Sequence, residues 1–122
     1  MSADEWNCAD PDERARYAAR TGEALRCLEG KWKIVILSEL FGSKALRFSD
    51  LERAIPGVTQ KVLIRQLREL ERDALVLRKA YPVVPPKVEY SLTPDARALA
   101  PAMAALMSWA ATYRKQALAG AS

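Results

Sequence analysis

The sequence predicts a mainly α fold with a small β-wing, an α+β arrangement of the winged helix-turn-helix type, and three observations predict it. Two segments with helix-start signals are separated by Pro56-Gly57. The second of them, from Thr59 to about Asp73, is strongly amphipathic. Directly after it the hydrophobic period changes from helical to two, on either side of the proline-rich stretch Pro82-Val83-Val84-Pro85-Pro86.

The elements follow in order. Residues 1–11 read as a polar, mobile arm, residues 12–118 as one domain, and residues 119–122 as a frayed tail. From Asp12 to about Leu28, Tyr17, Thr21, Ala24, Leu25 and Leu28 share one helical face, and Gly30 suits the stop. A short helix from about Lys31 to Phe41 is apolar on nearly every side and should be central, ending at Gly42-Ser43. Ala45 to Phe48 is extended. Ser49-Asp50-Leu51-Glu52 then has the spacing of a capping box with serine as the cap, opening a helix that Pro56-Gly57 ends. Thr59 caps the next helix.

In the wing, Leu75, Leu77, Lys79 and Tyr81 alternate with Val76, Arg78 and Ala80, and Val88, Tyr90 and Leu92 alternate with Lys87, Glu89 and Ser91. Thr93-Pro94 supplies a cap and a first-turn proline. A long alanine-rich helix follows, with Leu99, Met103, Leu106, Ala110 and Tyr113 on one stripe and a kink or restart expected at Pro101.

Composition narrows the function classes. Half of the 122 residues are apolar, enough for a core, and the net charge of +4 is mild. There is no histidine, hence neither the commonest general base nor the commonest metal ligand. No paired CxxC, glycine-rich phosphate loop or nucleophile elbow occurs, so an enzyme, a metal and a cofactor are not expected. No secretory leader is visible, and the run Ile34 to Leu37 is far too short to span a bilayer. A bacterial cytoplasmic protein, off the membrane, is the expectation.

The segment from Thr59 carries the functional reading. Lys61, Arg65, Arg68 and Arg72 stand at offsets of zero, four, seven and eleven and form one cationic ridge. Leu63, Leu67, Leu70 and Ala74 repeat those offsets two residues later, about 200° around the helix. One side is then glued to the core while the other presents cations outward, as a helix lying in the major groove of duplex DNA requires. Gln60 suits adenine and Arg65 guanine, each through two hydrogen bonds, while Thr59 and Lys61 flank a helix N-terminus that favours phosphate. Ile64 lies among these residues, and Arg68 and Arg72 lie further back, nearer the DNA backbone or a carboxylate of the chain itself. Lys79 and Lys87 flank the wing tip within reach of phosphates.

The segments Gly30-Lys31-Trp32, Arg47-Phe48-Ser49-Asp50-Leu51, Ile55-Pro56-Gly57-Val58-Thr59-Gln60-Lys61-Val62-Leu63, Leu67-Arg68-Glu69-Leu70-Glu71 and Val88-Glu89-Tyr90-Ser91-Leu92-Thr93 resemble the HxlR-type regulators, bacterial winged-helix proteins akin in shape to MarR-type regulators. The resemblance runs from about Leu25 to Trp109. It implies a homodimer that packs its N- and C-terminal helices across a two-fold axis and binds an inverted-repeat operator as a transcriptional repressor. Thr59, Gln60, Lys61 and Arg65 would enter the major groove, with Lys87 in the wing. Two departures stand out. Ala19 occupies the place where relatives often have a cysteine, and Ala74 stands where the family usually has glycine at the recognition-helix exit.

Inputs to such a regulator are less marked. Cys8, in the acidic arm, and Cys27, in the first helix, are the two thiols available to an oxidant, although a buried cysteine is more often a small hydrophobe. Tyr17, Trp32, Met103, Met107, Trp109 and Tyr113 can line a small-molecule pocket between dimer helices, or simply form core and interface. The main alternative function is a winged-helix protein-interaction module whose basic ridge meets an acidic partner.

Overall fold

The structure, a computed structural model, describes residues 9–120, with side chains as far as residue 113. Its elements are α1 (Pro11–Ala24), a 3-10 turn (Leu25–Leu28), α2 (Lys33–Phe41), β1 (Leu46–Arg47), α3 (Phe48–Ala54), α4 (Gln60–Arg72), β2 (Val76–Tyr81), β3 (Lys87–Leu92), α5 (Pro94–Arg97) and α6 (Ala100–Gly120). The strands make one antiparallel sheet with β3 in the middle, paired to β1 and β2. This is the helix-rich, small-sheet winged-helix architecture expected. Cys8 and most of the residue 1–11 arm lie outside the described residues, as do residues 121 and 122.

The core forms where α2, α3 and α4 meet the base of the sheet. Ile36, Leu37 and Leu40 of α2, Leu51 of α3 and Leu63, Leu67 and Leu70 of α4 are almost wholly buried, with Ile55, Val76 and Leu92 closing the sides. Burying a leucine or isoleucine fully contributes about 1.5–3 kcal/mol each. The periodic leucines of α4 are thus what seats it. Between α3 and α4 the chain turns through Gly57, whose φ of +89° is a conformation that side chains rarely adopt. A Cβ there would stand 3.8 Å from the Trp32 ring, so the indole packs over the turn.

Several local expectations are corrected. Ser49 does not cap α3. The helix already begins at Phe48, Arg47 is its N-cap, and the closing bond runs from the Arg47 N–H to Asp50 Oδ2 at 2.9 Å. The carboxylate therefore satisfies the helix end from inside, and no serine hydroxyl is needed. Ala74 does not extend the apolar ridge, because α4 ends at Arg72 and Ala74 is exposed with φ +61°. The inward residue of β2 is Val76, only 1% exposed, whereas Leu77 is 51% exposed. Leu75 is buried in the turn before the strand, so the alternation starts one residue later than the sequence pattern suggests. Pro101 coincides with a restart: α5 ends at Arg97, and α6 begins at Ala100 with the proline in its first turn.

Three helices leave apolar or unburied faces uncovered within one chain. No residue of α1 is buried. Ile34 and Val35 on α2, and Leu106, Met107, Trp109 and Tyr113 on α6, are also exposed, so α2 is central on one side only. No described helix is long and apolar enough to cross a membrane.

Candidate nucleic-acid interface

Thr59 sets where α4 starts: its extended backbone precedes the helix, and its hydroxyl accepts from the Val62 N–H at 3.2 Å. That fixes the rotation of every later residue. Lys61, Arg65, Arg68 and Arg72 are all exposed, on the side away from the buried Leu63, Leu67 and Leu70. Among the described residues, Lys61, Arg65 and Arg68 make no ion pair, while Arg72 Nε lies 3.6 Å from Asp73 Oδ1. Gln60, Lys61, Ile64, Arg65 and Arg68 border one shallow, open concavity on the outer side of the helix. The sequence-predicted helix residues are therefore brought together on one surface.

The back of α4 holds a polar group that the sequence did not mark. Lys33, at the start of α2, has a side chain only 8% exposed, and its ammonium lies 3.7 Å from Glu69 Oε2. Gln66 Nε2 donates to the same carboxylate oxygen at 3.1 Å, while Gln66 Oε1 is buried without a protein partner. Lys33 begins an apolar run in sequence, and its partner lies two helices further along, so no local signal pairs them.

In the wing, Lys79 and Lys87 both converge on Tyr81, their ammonium groups 4.9 Å and 4.8 Å from the ring centroid. Lys87 also pairs with Glu89 at 2.9 Å, and Tyr81 Oη donates to Glu89 Oε2 at 3.3 Å. The hydrogen bond from Lys87 holds the Glu89 carboxyl below its ordinary value, against a smaller opposing effect of desolvation. The register Tyr81↔Lys87 and Lys79↔Glu89 places all four on one face of the hairpin. Tyr81 and Glu89 were missed from sequence; the hairpin register is the signal that finds them. Asp50 is likewise held low, first by the Arg47 N–H and then, after the opposing desolvation, by Arg53 at 2.6 Å.

The remaining candidates occupy separate settings. Cys27, half-buried, donates its thiol to the Ala24 carbonyl at 3.0 Å and borders a polar cleft of about 530 Å³ with Arg26, Lys33 and Arg72. Tyr17 lines a groove along α1 with Thr21 and Leu25. Met103 and Met107 line another with Ser38 and Phe41. Trp32 packs against the core, and Trp109 stacks on Tyr113 with centroids 5.0 Å apart. Among the described residues no group of three or more His, Cys, Asp or Glu is placed to hold a metal ion.

The model of the HxlR-like helix-turn-helix family matches residues 27–118. An uncharacterized HTH-type transcriptional regulator of Halalkalibacterium halodurans is 50% identical over 88 residues, which covers 72% of this chain and 78% of that protein. The solved structure of a transcriptional regulator of the MarR family from Enterococcus faecalis V583 superposes with a TM-score of 0.73 at 40% identity, covering 83% of this chain and 91% of the other. The redox regulator HypR in its reduced form superposes with a TM-score of 0.76 at 37% identity, covering 82% and 98%.

Proposed function

Because this chain belongs to the HxlR-like helix-turn-helix family of transcriptional regulators, which are not enzymes, we propose that it binds double-stranded DNA sequence-specifically, as a homodimer on an inverted repeat, and represses the promoters it occupies. The observation that supports this most is the outward row Lys61, Arg65, Arg68 and Arg72, seated from behind by buried Leu63, Leu67 and Leu70. Thr59, Gln60, Lys61, Ile64 and Arg65 form the end of α4 that approaches base edges, Arg68 holds the flanking backbone, and Lys79 and Lys87 bring the wing to phosphates. Occupancy blocks polymerase sterically. The test is titration of duplex DNA selected by the protein from a random pool, at two salt concentrations. Affinity should fall steeply with salt as counterions are released. Arg65→Ala should relax preference at one base position, and Arg72→Ala should weaken all sequences alike. Salt-independent or absent DNA binding, with Gln60 substitution silent, would instead favour docking of the ridge on an acidic protein.

On the same reading a second copy covers α1 and the exposed Leu106, Met107, Trp109 and Tyr113 of α6. Sedimentation should give a dimer that Trp109→Glu weakens. An effector pocket at that seam would be lined by the exposed Met107, Trp109 and Tyr113 and the half-buried Tyr17; Trp32 and Met103 are packed into the chain's own body. For an oxidant input, Cys27 is the thiol among the described residues, and the structurally similar HypR is a redox regulator. If Cys27→Ser leaves oxidant-induced DNA release unchanged, Cys27 is not the sensor. The cytoplasm is the compartment that fits a DNA-bound regulator.

A further inference from the structure

We propose that Ile64 reads thymine, through the C5-methyl group, at one step of each half-site; this rests on the DNA-binding reading above and adds to it a base and the side chain that selects it. The outer surface of α4 is otherwise polar, and Ile64 is its one large hydrophobe open to solvent, at 39%, while Leu63, Leu67 and Leu70 are buried. It stands three residues after Lys61 and four before Arg68, so it lies beside the cationic ridge and not behind it. Gln60, Lys61 and Arg65 surround it on the outer concavity. On its other side begins an apolar groove floored by Phe48, Leu67, Val88 and Tyr90.

A sec-butyl side chain offers neither donor nor acceptor. In the major groove the base edges present N7, O6, O4 and amino groups, and the one apolar feature is the thymine methyl. Facing any other base, Ile64 would strip water from a polar edge and return no hydrogen bond. Facing thymine, it removes one methyl group and its own exposed carbons from water together. Burial of one methyl corresponds to about a fourfold gain in affinity. The β-branched shape restricts χ1 in a helix, so the methyl contact forms with little further ordering.

The experiment uses the full chain and a duplex that the protein itself selects from a random-sequence pool. Each thymine of the duplex is replaced in turn by deoxyuridine, which lacks the methyl and keeps the pairing edge, and affinity is measured by fluorescence polarisation at fixed salt. At one thymine per half-site the replacement should weaken the wild-type protein about fourfold. The same replacement should leave Ile64→Ala unaffected, with Ile64→Val intermediate. Circular dichroism confirms that both variants keep the wild-type helix content. If DNA binding is intact and Ile64→Ala pays the same deoxyuridine penalty as wild type at every position, the thymine assignment is overturned alone. If the wild-type protein selects no duplex, both readings fall.

Discussion

The Thr93 hydroxyl donates a 2.8 Å hydrogen bond to the carbonyl of Ala74, joining the end of the wing to the exit of the recognition helix. The same oxygen accepts from the Ala96 N–H at 3.1 Å, so one buried side chain caps α5 and ties down the turn after α4. Thr93→Val keeps the shape and removes both bonds. Loss of a cap and of a buried partner should destabilise the fold by about 1–3 kcal/mol. Equilibrium urea unfolding measures this, and an unchanged midpoint would mean that water replaces the hydroxyl.

Ala74 itself is held at φ +61°. That conformation costs an L-residue about 1–2 kcal/mol, whereas glycine adopts it freely but gives up about 0.5–1 kcal/mol of chain entropy. Ala74→Gly should therefore stabilise the fold by up to about 1.5 kcal/mol, seen as a slightly higher urea midpoint with the slope unchanged. A lower midpoint would show that the strain is already relieved by the surrounding turn.

The pair Lys33–Glu69 should respond asymmetrically. Glu69→Gln leaves an ammonium in a site only 8% exposed, at a cost of about 1–2 kcal/mol, since the carboxylate was a third exposed and partly screened. Lys33→Met replaces the buried charge with an apolar chain of similar length and should cost under about 1 kcal/mol, because Glu69 keeps Gln66 and water. A double-mutant cycle separates the pair's coupling from these single costs. Equal losses in the two single variants would contradict the asymmetry.

Asp50 titrates below its ordinary value of 3.8, chiefly because its carboxylate accepts the Arg47 N–H that opens α3. A folded pKa lower than the unfolded one means that stability is present above the unfolded value and is lost as pH falls through the folded one. Glu89 acts in the same sense through Lys87. Unfolding midpoints should therefore fall on acidification below about pH 4, and less steeply in Asp50→Asn. Carboxyl NMR titration of Asp50 checks the direction independently.

Glu89 also bears on the wing. It pairs with Lys87 at 2.9 Å, so on the DNA-binding proposal that lysine would reach a phosphate already paired. Glu89→Gln should free it and strengthen binding to duplex DNA several-fold at low salt, with a salt slope steeper by about one counterion. If affinity drops instead, Glu89 serves to orient Lys87 and not to restrain it.

How much of this was legible in sequence differs by element. The seating of α4 was, because leucines and cations each recur at helical spacing and two residues of offset put them on opposite sides. Its cap was legible too, since threonine before an amphipathic run has one local role. The start of α3 was not: serine and carboxylate at that spacing are compatible with two helix starts, and the Arg47–Asp50 bond decides between them. The wing's facing was misplaced by one residue, since Leu75 belongs to the turn and a slip of one reverses a strand. The convergence on Tyr81 depends on pairing across the proline tip, and the Lys33–Glu69 contact on packing of distant helices; neither is written in any local pattern. For α1, periodicity announces a face, but no buried residue of that helix in the single chain identifies what meets it.

The seat of Trp32 over the Gly57 turn gives the molecule its own optical probe. Its indole is half-buried, with the Lys31 ammonium 4.8 Å from the ring centroid, so its emission depends on how tightly the ring is sealed against that bend. If the chain binds duplex DNA as proposed, any adjustment between α3 and α4 on binding would alter that seal. In a Trp6→Phe, Trp109→Phe background the remaining tryptophan reports the bend alone, and the proposed engagement of DNA would be expected to register as a spectral shift without a label.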